Sequence, residues 1–257
     1  MKRTLAALLA SAALLPATAA ALSRAETDAV VRTVDERQRS SGDYKALAYM
    51  EAKEKGKTDV VYELVVYRRD EDQKLMFLFL EPKSEAGKGY LRIDKNLWFY
   101  DPGTGRWERR TERERIGGTD TRRGDLDESR LAEEYDATWE ADEKLGRYDV
   151  HRILLKVKPG VDVAFPVIRL WVDAATNNVL KRQEMALSGR LMRTSLYPRW
   201  KRIYSESKKG EVWFPEQMYL YDEIEKSNQT YVAIKSVDLR PLDANLFTKA
   251  WLESKSR

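Results

Sequence analysis

Between residues 43 and 110, five short apolar or aromatic runs follow one another, and the pieces between them can hold little more than a turn. The runs are DYKALAYMEAKE (43–54), DVVYELVVYRR (59–69), QKLMFLFLEP (73–82), GYLRID (89–94) and NLWFYDP (96–102). Lys55-Gly56-Lys57, Asp70-Glu71-Asp72, Lys83 to Lys88 and Asp94-Lys95 separate them. A parallel crossover needs about a dozen residues or more, usually a helix, whereas antiparallel neighbours are joined by a hairpin turn. The spacing therefore dictates an antiparallel meander.

The same pattern resumes at residues 147–159, 167–174, 178–200, 211–224 and 229–241, with Asn177-Asn178 and Ser188-Gly189 as turns. Residues 75–80, LMFLFL, are apolar on both faces, while 179–187 mixes charged with apolar positions. Central strands are thus covered on both sides and outer strands on one. Helical spacing of Ala25, Ala29, Val30, Val34 and Gln38 predicts an amphipathic helix over 24–40. Asp127 is placed to cap a short helix over 129–134, and residues 243–256 predict a last helix with Leu246, Phe247, Ala250 and Trp251 along one edge. Residues 111–147 are charged and Gly-rich, and read as an excursion across the open side of the sheet. The expected fold is mainly β with α: about ten antiparallel strands in a strongly curved sheet around a helix. A closed, side-chain-filled barrel satisfies the same pattern.

The first residues stand apart. Lys2 and Arg3 precede an apolar run from Leu5 to Leu15, and Ala17-Thr18-Ala19 follows as a cleavage sequence. This order is that of a signal peptide, expected over 1–21, with one domain over 22–257. No cysteine follows the apolar run, so attachment of a lipid to a new N-terminal cysteine is excluded, and export to a periplasm is expected.

Composition narrows the chemistry. Setting aside Lys2 and Arg3 leaves 44 basic residues against 42 acidic ones, a balance that lacks the basic stripe of a nucleic-acid binder. With no cysteine and one histidine, His151, zinc and copper sites lose their usual ligands, and no cofactor is expected. Gly103-Thr104-Gly105 and Gly117-Gly118-Thr119 match no phosphate-binding loop. Ser188 and Ser195 lack a nucleophile elbow, and His151 lies within a strand and reads as a hydrogen-bonded strand histidine. The carboxylate pairs Glu133-Glu134 and Asp125 with Asp127 sit in charged surroundings with nothing to split their pKa values. The chain is not expected to be an enzyme.

What remains is a set of strands crowded with aromatic side chains, in a recognisable order. Glu81-Pro82, Gly87-Lys88-Gly89, Trp98-Phe99-Tyr100-Asp101-Pro102, Arg106, Leu170-Trp171-Val172-Asp173, Thr230 and Phe247-Thr248 follow one another as in the outer membrane lipoprotein-sorting protein family, which the chain resembles over residues 40–252. One block departs: Thr119 to Leu126 carries Arg122 and Arg123 where relatives carry aromatic residues. The resemblance implies a LolA-like half-open β-barrel with helices covering its mouth. It also implies a periplasmic carrier that binds the acyl chains of lipoproteins or other lipids and ferries them toward the outer membrane. An inner-membrane transporter is a candidate partner, and a monomer is expected. The alternative on the same fold is a protein-binding sensor domain, or an accessory subunit of an envelope lipid exporter.

An acyl chain exposed to water costs about 0.8 kcal/mol per CH₂, so a carrier needs an apolar wall and a removable cover. The inward faces of 44–50, 60–66, 75–80 and 96–100 are expected to form the wall. Its candidate lining residues are Leu47, Tyr49, Tyr62, Leu64, Phe77, Phe79, Trp98, Tyr100, Trp171 and Tyr219. Helix 24–40 with Val30 and Val34, the 111–135 segment with Arg122 and Arg123, and the C-terminal helix are the candidate lids or partner contacts.

Overall fold

The computed structural model describes residues 21–39, 41–93, 96–110, 114, 116, 117, 119 and 129–256, with residue 39 described by its backbone alone. The expected signal peptide, apart from Ala21, and Arg122, Arg123, Asp125 and Asp127 lie outside the described residues. Helix α1 (Arg24–Arg39) precedes six strands: β1 (Tyr44–Lys53), β2 (Val60–Arg69), β3 (Lys74–Glu81), β4 (Gly89–Ile93), β5 (Asn96–Asp101) and β6 (Arg106–Arg110). The single turn α2 (Leu131–Glu134) leads into β7 (Tyr135–Leu145), β8 (Tyr148–Val157), β9 (Val167–Asp173), β10 (Val179–Met185), β11 (Leu191–Ser205), β12 (Gly210–Asp222) and β13 (Gln229–Asp238). A 3₁₀ turn at Ala244–Leu246 and helix α3 (Lys249–Lys255) follow.

All thirteen strands form one sheet in the order β6-β5-β4-β3-β2-β1-β13-β12-β11-β10-β9-β8-β7. Every neighbouring pair is antiparallel, as the short connectors require. The first strand pairs with the last, and among the described residues β6 and β7 are the two edges of the sheet. The sheet curves without closing, so the closed barrel is excluded. Three strands beyond the expected ten appear. Residues 178–200 divide at Ser188-Gly189 into β10 and β11. The strand β6, RWERR, carries too little apolar surface to be read as a strand. The strand β7 falls in the segment expected to be an excursion; its alternation of Tyr135, Ala137 and Trp139 with Asp136, Thr138 and Glu140 is diluted by charge because it is an edge, where charged residues discourage further pairing.

Register fixes two faces. Directly opposed partners run across the sheet from Ala52 through Thr230, Leu220, Ser195, Arg182 and Leu170 to Ile153, all on one face. In the first half this face buries Ala48, Met50, Tyr62, Leu64, Leu75, Phe77, Phe79, Tyr90 and Leu97 together. In the second half it buries Ile153, Leu155, Ile168, Leu170 and Val172 beneath Val31 and Val34 of α1. This α1-bearing face is called the inner face here. The buried side of α1 is Thr27, Val31, Val34 and Asp35, whereas Ala25, Ala29 and Gln38 of the expected stripe are exposed. The stripe is rotated because Asp35 faces inward to cap α2: its carboxylate accepts from the Leu131 and Ala132 amides at 2.9 and 2.8 Å. That carboxylate is the cap found for α2.

On the outer face of the first half, Val65, Tyr67, Met76, Leu78 and Leu91 pack under Phe247 and Leu252. The C-terminal helix therefore covers the back of the sheet and not the mouth, a correction to the expected lid. Gly89 makes room for it: a Cβ there would stand 2.6 Å from the Phe77 carbonyl and 2.9 Å from Leu252. At the lower rim, Asp43 accepts from the Asp70 amide at 3.1 Å and the Leu242 amide at 2.9 Å, tying the start of β1 to the end of β2 and to the C-terminal segment. The upper rim carries the β1–β2, β3–β4, β5–β6, β8–β9, β10–β11 and β12–β13 turns, as strand direction requires.

Candidate functional site

The inner wall of the first half is aromatic at its upper end. Tyr62 and Phe79 meet edge to face at 5.5 Å, Phe79 and Tyr90 lie 6.1 Å apart, and Tyr90 and Phe99 lie 4.9 Å apart. Such tilted and edge-on arrangements are the favoured ones for aromatic pairs. Period-two alternation on β2, β3, β4 and β5 brings these rings to one face.

A single turn sits on this wall. Ile116 is buried within the same cluster, and the two polar groups of Gly117 are taken by two tyrosines. The Tyr62 hydroxyl donates to the Gly117 carbonyl at 2.7 Å, and the Gly117 amide donates to the Tyr90 hydroxyl at 3.0 Å. Gly117 has φ +57°, and a Cβ would come within 3.2 Å of the Phe79 ring. A glycine is thus needed both for the left-handed backbone and for the close approach. Burial raises the Tyr62 hydroxyl pKa, as it does that of Tyr90, where the bond from Gly117 opposes the rise; both stay protonated at neutral pH. At the edge, the Arg110 guanidinium lies 4.6 Å from the Phe99 ring centre and pairs with Glu114 at 3.1 Å.

The ten residues expected to line the wall divide between the two faces. Tyr62, Leu64, Phe77 and Phe79 come together on the inner face, each buried. The other six lie on the outer face. Leu47 and Tyr100 belong to the outer cluster under the C-terminal segment. Trp98 lies 4.0 Å beneath the Lys249 ammonium. Tyr49 and Tyr219 both pack against Tyr231, at 6.2 and 4.7 Å. Trp171 is pinned by a bond from its Nε1 to Glu143 at 2.5 Å, with Lys181 over its ring. Sequence alternation says which residues share a face, but not which face is the inner one. Met50, Leu75 and Leu97, within the expected wall strands but not among the ten named residues, share the inner cluster, as does Tyr90 of β4, which lies outside those strands. For α1, Val34 is buried and Val30 half-buried over the second half.

The inner face of the second half differs, because charges are buried in it. Glu184, 1% exposed, is gripped by Arg193 and lies 2.8 Å from Arg182. Tyr135 beside them is pushed up to about 12 by burial. Two open clefts lie apart from the aromatic wall. One, about 540 Å³, is lined by Arg147, Tyr148, Asp149 and Asp173 at the lower rim. The other, about 110 Å³, lies between α1 and β7 beside Arg24, Asp28, Asp136 and Lys158. His151 Nδ1 is 2.6 Å from Asp142, whose carboxylate also takes the Trp139 indole N–H at 2.9 Å.

A family model described as an uncharacterized protein matches residues 71–254. No curated protein sequence matches the chain. Three solved structures share the architecture. A domain described as an outer membrane lipoprotein-sorting protein, from Vibrio parahaemolyticus, is 19% identical with a TM-score of 0.76, over 90% of this chain and 100% of that one. A LolA superfamily protein from Nitrosomonas europaea is 19% identical with a TM-score of 0.68, over 88% of this chain and 98% of that one. A DUF1329 family protein from Desulfovibrio piger is 18% identical with a TM-score of 0.75, over 89% of this chain and 98% of that one. Matched over most of its length, the chain belongs to that family of uncharacterized proteins and has the LolA-like fold of the outer membrane lipoprotein-sorting proteins.

Proposed function

We propose that the protein is a periplasmic carrier that shields the acyl chains of a lipoprotein or another lipid against the inner wall of its first half. The observation that carries this reading is the aromatic wall of Tyr62, Phe77, Phe79, Tyr90 and Phe99 with a turn held over it by two hydroxyls. Rings and aliphatic chains supply many modest contacts, so a cargo can be held without being trapped. Opening the cover exchanges its two hydrogen bonds with water, at about 1 kcal/mol each, and uncovers Ile116, whose apolar contacts an acyl chain in its place can replace. The LolA-like fold agrees with this role, as does the signal-peptide order of the first 21 residues. In this reading the leader is removed on export, no chemical step is performed, and the cargo travels toward the outer membrane.

Native mass spectrometry of protein recovered from the periplasm, followed by extraction, tests the proposal. A diacyl or triacyl species at close to one per chain is the expected result. A clean protein mass, with no uptake of added lipid or lipopeptide, overturns it.

A further inference from the structure

Among the described residues, five large apolar side chains are notably exposed: Leu187 at 78%, Tyr204 at 60%, Ile224 at 48%, Val61 at 45% and Leu80 at 37%. Single exposed apolar residues are ordinary on a protein surface, but these are not scattered. Strand direction places Leu187 in the β10–β11 turn, Ile224 in the β12–β13 turn, Val61 at the start of β2 and Leu80 at the end of β3, all at the upper rim. Only Tyr204 lies toward the other end.

The three neighbouring turns β1–β2, β10–β11 and β12–β13 are braced against one another, so their tips are held outward. The Glu223 amide donates to the Met192 carbonyl at 3.0 Å. The Lys55 amide donates to Asn228 Oδ1 at 2.8 Å, and the Lys55 ammonium pairs with Glu225 at 3.0 Å. Asp222 Oδ1 accepts from the amides of Ile224 and Glu225 at 2.9 and 3.0 Å. Beneath the tips, Met185 and Leu220 are already buried.

These turns carry four acidic and four basic side chains, Glu54, Asp59, Glu223 and Glu225 against Lys55, Lys57, Arg190 and Lys226, but the groups are not equally engaged. Each acidic group is engaged: Glu54 with Lys57, Asp59 with Lys53, Glu225 with Lys55, and Glu223 with the Thr194 hydroxyl. Arg190 and Lys226, one beside each apolar tip, make no side-chain ion pair or hydrogen bond among the described residues. An apolar tip with an uncommitted cation next to it suits a surface that is greasy inside and anionic outside.

We propose that this rim docks on the surface of an anionic lipid bilayer. Leu187 and Ile224 enter the boundary between head groups and acyl chains, and Arg190 and Lys226 meet lipid phosphates. Two apolar tips and two cations give weak, reversible attachment, since stable anchoring needs more buried apolar surface or a larger basic patch. The rim lies at the same end of the sheet as Tyr62, Phe79 and Gly117, so docking brings the covered aromatic wall to the membrane. The proposal stands apart from the cargo: uptake of an acyl probe without vesicles reads the carrier function by itself.

The chain has no cysteine, so Leu187→Cys gives one site for an environment-sensitive nitrobenzoxadiazole label. Protein recovered from the periplasm of cells expressing the full chain is titrated with phosphatidylcholine vesicles containing one third phosphatidylglycerol. The expected result is a blue shift and brightening at 187, and none for the same label at Ala175→Cys on the lower rim. Adding Ile224→Asp, or Arg190→Glu with Lys226→Glu, to the labelled protein is expected to weaken the response about tenfold. A silent label at 187, an equal response at 175, or a response unchanged by both sets of substitutions overturns the proposal. Pure phosphatidylcholine giving the same affinity overturns it as well.

Discussion

The hydroxyl of Tyr62 on β2 donates to the carbonyl of Gly117 across 2.7 Å, fixing a turn of the segment that follows β6 to the aromatic inner wall. Tyr90 takes the amide of the same residue. Tyr62→Phe and Tyr90→Phe each leave one peptide group without its partner while keeping the ring. Each is expected to cost about 1 kcal/mol in denaturant unfolding, and the double variant is expected to take up an acyl probe faster. A double variant as stable as the parent would remove the latch from the account.

Gly117→Ala places a Cβ in the left-handed region and against Phe79. A loss of about 1–2 kcal/mol is expected, visible as a lower midpoint with an unchanged denaturant slope.

Asp35 is 4% exposed and accepts from Leu131, Ala132 and the Ser129 hydroxyl. Asp35→Ala strands two amides and should cost about 1–3 kcal/mol. The loosening should also appear locally, as faster hydrogen exchange at 131 and 132, and Asp35→Asn should recover part of it. Unchanged exchange in the Ala variant would show that α1 does not hold α2.

Glu184 lies buried between Arg193 and Arg182. Glu184→Gln keeps the shape and removes the charge that faces the buried Arg193. Breaking such a pair from one side typically costs about 3–5 kcal/mol, so thermal unfolding should fall clearly below that of the parent.

On the outer face, burial raises the pKa of Glu140, but Arg169 at 2.7 Å and Arg152 at 2.9 Å outweigh it, and the net shift is below the ordinary 4.5. Folding then favours the carboxylate. Its stabilisation is present in full above the unfolded pKa and fades as pH falls through the lower folded one. Melting temperatures of the parent and Glu140→Gln should therefore differ at neutral pH and converge in acid, below about pH 4. A constant gap across that range would refute the assignment.

The architecture was legible in the sequence where local rules suffice. Turns as short as Asp70-Glu71-Asp72 and Ser188-Gly189 admit only antiparallel neighbours, and a run such as LMFLFL at 75–80 must be covered on both faces. The edge strands escaped because charge serves a different purpose there: RWERR at 106–110 and the acidic alternation of 135–145 guard the sheet margin and so look like loop. Alternation also told which side chains travel together, grouping Tyr62 with Leu64 and Phe77 with Phe79. It could not say which group faces inward, since the two faces of LMFLFL are equally apolar and both are buried from Leu75 to Phe79. That was decided by what came to lie on each side: α1 and the Gly117 turn on one, α3 on the other. Those are contacts between residues far apart in the chain, such as Tyr62 with Gly117 and Gly89 with Leu252, and no local pattern encodes them.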